Sequence, residues 1–99
     1  MAGLATISAI LQHLPSLPLK LKWPNDILLN GKKIAGILCE YIPGTGVIIG
    51  IGINLNQTGF PKEIEDKATS LKLETGNTVN RIDLVISLLE SLGKEYEEF

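Results

Sequence analysis

The sequence predicts an α+β domain in which a mixed or antiparallel sheet is flanked by helices. Three observations carry this: apolar residues at helical spacing near both ends of the chain, short apolar runs between them, and turn signals at Asn30-Gly31 and Pro43-Gly44-Thr45-Gly46 that punctuate those runs. The chain has 99 residues, enough for one small core. No repeat, low-complexity tract or linker divides it, so residues 1–99 are read as part or all of one domain.

Leu4, Ile7, Ile10, Leu11 and Leu14 recur at helical spacing until Pro15 and Pro18 stop the pattern, which predicts a helix over 2–14. Leu19 to Trp23 reads as extended, because Pro24 restrains the residue before it and cannot donate a ladder hydrogen bond. Ile27 to Leu29 is a second strand. Asn30-Gly31 then supplies the two positive-φ positions of a tight hairpin turn, so Lys32 to Tyr41 returns antiparallel. After Pro43-Gly44-Thr45-Gly46, residues 47–56 form another strand and complete a meander. Residues 59–80 are polar and read as loop with one turn of helix at 62–66. Asn80 is placed to cap a final helix with Asp83 in its first turn. Its expected apolar stripe is Ile82, Val85, Ile86, Leu89, Leu92, Tyr96 and Phe99.

Composition removes several function classes. With 44% hydrophobic residues, 20% charged residues and a net charge of -2, there is no basic surplus to attract nucleic acid. No apolar run is long enough to span a bilayer and the N-terminus lacks signal-peptide features, so no membrane is expected and the cytoplasm is the default compartment. One cysteine, Cys39, and one histidine, His13, allow neither an internal disulfide nor a Cys/His zinc site.

The chemistry concentrates in KWPNDILLNGKKIAGILCE, residues 22–40, and in VIIGIGINLN, residues 47–56. Alternation in the second run puts Val47, Ile49, Ile51, Ile53 and Leu55 on a core face and Ile48, Gly50, Gly52, Asn54 and Asn56 on the other. Two in-register glycines weaken a strand, so either a ligand approaches its backbone or a bulky neighbour or bend needs the room. Gly50-x-Gly52 lacks the third glycine of a dinucleotide loop, and Gly44 to Gly50 is followed by Ile51 where a phosphate loop needs lysine. Any phosphate site must therefore use side chains. Lys22, Lys32 and Lys33 supply cations, and a regular pleat puts Lys33 on the face of Ala35 and Ile37 with Lys32 opposite. Asp26 is either a turn residue or a Mg²⁺ ligand acting together with phosphate oxygens. Trp23 is either core or a stacking platform.

In this order, LKWPNDILLNGKKIAGILCE followed by GVIIGIGINLN closely resembles biotin protein ligase. The resemblance extends more weakly through the first helix, ATSL and the last helix. It implies the fold related to class II aminoacyl-tRNA synthetases, the biotin/lipoate ligase fold. It also implies ATP-dependent formation of biotinyl-5′-AMP and transfer of biotin to a lysine of a biotin carboxyl carrier domain. By resemblance Lys33 is the catalytic cation that touches the biotin carboxylate and phosphate. Gly36, Ile37, Leu38 and Gly50 belong to the biotin wall; Lys22, Trp23, Pro24, Asn25, Asp26, Gly52 and Asn54 belong to the ATP side, with Asp26 as Mg²⁺ ligand.

The family's Gly/Arg-rich loop, the polar residues for the biotin ureido ring, its winged-helix segment and its small β-rich domain do not occur in these residues. The chain is therefore expected to be the central part of a catalytic domain, incomplete in its fold and weakly active or inactive alone. A binding or assembly module, pairing with another chain or a second copy through exposed strand edges, is the alternative. The related lipoate-attachment enzymes share the fold and lysine but leave KWPND unexplained.

Overall fold

The structure, a computed structural model, describes residues 2–23 and 25–97, with side chains described through Lys94. Helix α1 spans Ala2–His13, and the strands β1 (Leu19–Lys22), β2 (Asp26–Leu29), β3 (Lys32–Ile42) and β4 (Gly46–Ile53) follow. Two helices, α2 (Leu71–Thr75) and α3 (Arg81–Glu97), complete the order. The sheet is an antiparallel meander, β1-β2-β3-β4, as the turn signals predict. Asn30 and Gly31 both take positive φ, 52° and 81°, which matches the right-handed twist of the flanking strands. Gly44 and Gly46 do the same in the second turn.

Helices α1 and α3 lie on one face of the sheet, around a core whose fully buried members include Ile10, Ile27, Leu29, Ile34 and Leu71. Helix α1 buries mainly its small residues, Gly3, Ala5, Thr6 and Ala9, together with Ile10. This lets the backbone approach β1 closely: a Cβ on Gly3 would stand 2.8 Å from a Leu21 methyl. Leu4, expected inside, is exposed.

Three further expectations are corrected. The buried face of α3 is Leu84, Ser87 and Ser91, with Leu88 half-buried, while Ile82, Val85, Ile86 and Leu89 of the expected stripe point outward, Ile82 at 70% and Leu89 at 63% exposure. Small serines permit close contact with α1, and the Ser87 hydroxyl is 2.8 Å from His13 Nε2 across the helix pair. Tyr96 and Phe99 of that stripe lie outside the described side chains. The core face of β4 begins only at Ile51, because Val47 and Ile49 sit where the β3-β4 hairpin extends past the helices, and both are exposed. Residues 62–67 form turns and no helix, whereas the stretch read as loop contains α2.

The local signals for α2 were present. Ser70 in extended conformation accepts the Leu73 N–H at 3.1 Å, and Gly76 closes the helix at φ 76°. Such caps contribute about 1 kcal/mol each. Tertiary hydrogen bonds add to them: Leu71 N–H donates to Asn54 O, Lys72 N–H to Leu55 O, and the Ser70 hydroxyl to Gln57 O. At the other end of the segment, Lys33 N–H donates to Lys67 O and Thr69 N–H to Lys33 O, a parallel bridge that ties this loop to the start of β3. Asn80 caps α3 as expected, accepting the Asp83 N–H at 3.1 Å.

Candidate functional site

The face of the sheet opposite the helices carries an open cleft of about 610 Å³. Register shows how it is built. Lys22, Asp26, Gly36 and Gly52 are cross-strand partners in one transverse row, and Leu38 pairs with Gly50 farther along. Partnered residues share a face of the pleat, so these side chains rise from the same surface.

Lys33 reaches that surface through an irregularity. Leu28 pairs with Lys33 but Ile27 pairs with Ala35, leaving Ile34 as an extra residue in β3. The bulge rephases the strand. Lys33 therefore shares the cleft face with Gly36, while Ile34, Ala35 and Ile37 are buried on the helix side. This corrects the expectation from a regular pleat, which grouped Lys33 with Ala35 and Ile37. Lys32 pairs with Leu29 and is half-buried.

The Lys33 side chain lies across Gly36. A Cβ there would meet Lys33 Cε and Nζ at 3.0 Å, and Nζ stands 3.2 Å from Asp26 Oδ1. With side-chain exposures of 49% and 35%, the pair is solvent-accessible, so its contribution to stability is under about 1 kcal/mol. Its value is positional: the carboxylate holds an ammonium at the cleft floor.

The glycines of β4 resolve the ambiguity left by the sequence. A Cβ on Gly52 would meet nothing within 4 Å, and one on Gly50 would make only ordinary contact with Leu38, at 3.8 Å or more. Neither glycine has a positive φ. No bulky neighbour or bend needs them; the space they leave opens into the cleft.

Among the predicted residues, Asn25, Asp26, Lys33, Gly36, Leu38, Gly50 and Gly52 line the cleft, and Ile37 borders it although its side chain is buried on the helix side, 3.6 Å from the Cβ position of Gly3. Asn25 also accepts the Ile37 N–H through its carbonyl at 2.8 Å, fastening the start of β2 to β3. Lys22 sits beside Asp26 in the row but outside the lining. Trp23 is 77% exposed, which overturns the core alternative for it. Pro24 lies outside the described residues. The Asn54 side chain donates to Thr69 O at 3.2 Å and accepts from Gln57 at 3.1 Å, so it braces the 68–70 segment. Ile51, assigned to the core, faces α3 and also borders the cleft, between Gly50 and Gly52.

Comparison with known proteins identifies the family. Residues 1–56 match the family described as the biotin/lipoate A/B protein ligase family. The chain belongs to that family. The bifunctional ligase/repressor BirA of Bacillus subtilis is 39% identical over 105 aligned positions, covering 100% of this chain and 32% of that protein. The biotin–[acetyl-CoA-carboxylase] ligase of Mycobacterium tuberculosis is 43% identical over 72 positions, covering 71% of this chain and 26% of that one. The solved structure of biotin protein ligase from Aquifex aeolicus in complex with biotin and ATP superposes with a TM-score of 0.89 at 36% identity, over 99% of this chain and 41% of the other. The chain thus spans between about a quarter and a third of the length of these two curated relatives. In this ligase family member the antiparallel sheet and flanking helices are those of a biotin protein ligase fragment.

Proposed function

We propose that this chain contributes the cationic half of an adenylation site, joining biotin to ATP as biotinyl-5′-AMP and serving transfer of biotin to a lysine of a biotin carboxyl carrier domain. The observation that carries the reading is the Lys33 ammonium held over Gly36 beside a glycine floor that no protein atom fills. In the first step a carboxylate oxygen of biotin bonds to the α-phosphorus, the bond from that phosphorus to the bridging oxygen breaks, and pyrophosphate leaves with the electron pair. Two anions must meet, and a fixed cation between them lowers that repulsion and stabilises the charge that develops. Lys33 is that cation. In the second step the carrier lysine's amine bonds to the biotinyl carbonyl carbon, AMP leaves, and the amine loses a proton.

Gly36, Ile37, Leu38 and Gly50 form the biotin side, while Asn25, Asp26 and Gly52, with Lys22, Trp23, Pro24 and Asn54 around them, form the nucleotide side. Among the described residues no group of three or more His, Cys, Asp or Glu comes together, and Asp26 is the one carboxylate lining the cleft. That donor set fits Mg²⁺ only in the mode where one carboxylate joins substrate phosphate oxygens. When bound there, Mg²⁺ would neutralise phosphate charge, and Asp26 would exchange Lys33 for the metal. We place the chain in the cytoplasm, where ATP and carboxylases are both at hand; no helix among the described residues is long and apolar enough to cross a membrane.

With the cleft open on its outer side, the isolated chain is expected to bind the adenylate weakly and to turn over slowly or not at all. Titrating the ¹⁵N-labelled chain with biotinyl-5′-AMP should move the amides of Gly36, Leu38, Gly50 and Gly52. A folded chain whose cleft amides ignore biotin, ATP and biotinyl-5′-AMP alike would sink the proposal.

A second reading is favoured by one feature, the outer edge of β4. Gly46–Ile53 contains no charged residue, exposes Val47, Ile48 and Ile49, and pairs only with β3 among the described residues. Uncharged edges invite further strand pairing. A second copy joined edge to edge would raise the sedimentation coefficient with concentration and abolish that rise in Ile48→Lys. A chain that stays monomeric across the concentration range would exclude this assembly.

A further inference from the structure

Strand β1 contributes a cation that the family motif does not include. Its residues alternate between half-buried and exposed: Leu19 and Leu21 turn to the helices, Lys20 and Lys22 to the cleft side. Lys22 partners Asp26, and Lys20 partners Leu28, whose other neighbour is Lys33. Two transverse rows therefore lie side by side on the same face, Lys22-Asp26-Gly36-Gly52 and Lys20-Leu28-Lys33. The backbones of Lys20 and Lys33 are separated by two strand spacings, about 10 Å. Leu28, between them, offers no competing charge. In these two rows three ammonium groups face one carboxylate, and that carboxylate is already engaged with Lys33. Among the described residues, Lys20 and Lys22 have no acidic cross-strand partner other than Asp26.

We propose that Lys20 is a polyphosphate-binding residue, forming with Lys22 a cradle for the β- and γ-phosphates of ATP and for the pyrophosphate that leaves. This rests on the adenylation reading and extends it. With Lys33 holding the reacting carboxylate and α-phosphate over the glycine floor, Lys20 and Lys22, which lie outside the cleft lining on the β1 side, are the cations left to meet a departing group that gains charge as the bond breaks. Cations placed at that end act on the leaving group, as phosphoryl transfer requires. Lys20 is exposed, so its contribution is screened by salt.

The experiment titrates the 99-residue chain with inorganic pyrophosphate, ATP and AMP at low ionic strength, following affinity by calorimetry and fold by circular dichroism. Lys20→Gln is expected to weaken pyrophosphate and ATP binding by about three- to tenfold, the scale of one partly screened charge-assisted contact, with AMP affinity unchanged. Lys20→Arg should restore most of the loss, and Lys62→Gln, on an exposed loop, should change nothing. If Lys20→Gln leaves pyrophosphate and ATP affinity intact while Lys33→Ala weakens adenylate binding, the Lys20 assignment fails and the adenylation site stands. An equal loss from Lys62→Gln shows general charge screening and overturns the assignment. A folded wild-type chain that binds neither pyrophosphate nor ATP overturns the Lys20 assignment, and the adenylation reading falls with it only if biotin and biotinyl-5′-AMP are ignored as well.

Discussion

Replacing Lys33 with alanine is expected to weaken binding of biotinyl-5′-AMP by about ten- to 100-fold, the loss of charge-assisted hydrogen bonds contributing roughly 1.5–3 kcal/mol each. Where adenylate formation is measurable, the rate should fall by about 10²–10³, because the cation acts on charge that develops only in the transition state. Stability should barely change, since the Lys33–Asp26 pair is solvent-accessible and its removal leaves Asp26 able to meet water. Lys33→Arg should recover little: a planar fork does not reproduce a compact ammonium lying across Gly36. Calorimetric titration with the adenylate, alongside Lys32→Ala as comparison, checks this. If Lys32→Ala weakened binding and Lys33→Ala did not, the phase of β3 would be wrong and with it the site.

Placing valine at Gly52 is expected to separate folding from binding. A Cβ at that position meets no protein atom within 4 Å, and a β-branched residue suits a strand better than glycine. The melting temperature should stay level or rise by a degree or two. Adenylate binding should nevertheless weaken by about 1–3 kcal/mol, roughly five- to 150-fold, because the added methyl groups occupy the cleft floor. A variant that melts early yet binds normally would show that the glycine serves the fold after all.

Much of the architecture was legible because its signals are local. Asn30-Gly31 demands two positive-φ positions and so dictates the β2-β3 hairpin; Pro15 and Pro18 end α1; the Asn80 side chain starts α3. The clustering of Asn25, Asp26, Lys33, Gly36, Leu38, Gly50 and Gly52 follows from the meander and the ordered motif, and the cleft collects all of them. Helix α2 was missed although Ser70 and Gly76 flank it, because five helical residues carry too little periodicity to stand out from loop. Trp23 could not be placed from its chemistry alone. A large aromatic side chain suits a core, but this one follows the last residue of β1 at a turn, beyond the reach of the helices.

By itself, then, the sequence determined the two long helices, the meander between them and the β2-β3 turn. Tertiary structure decided which faces are covered. In α3 the more apolar stripe, Ile82, Val85, Ile86 and Leu89, lost the buried position to Leu84, Ser87 and Ser91, whose small side chains let α1 come close enough for His13 to reach Ser87. In β3 the extra residue Ile34 turned Gly36 toward the cleft beside Lys33 and sent Ala35 and Ile37 to the core. The physical reason is common to both: periodicity specifies which residues lie on one face, but only packing against a partner, and the irregularities that packing enforces, settle where that face points.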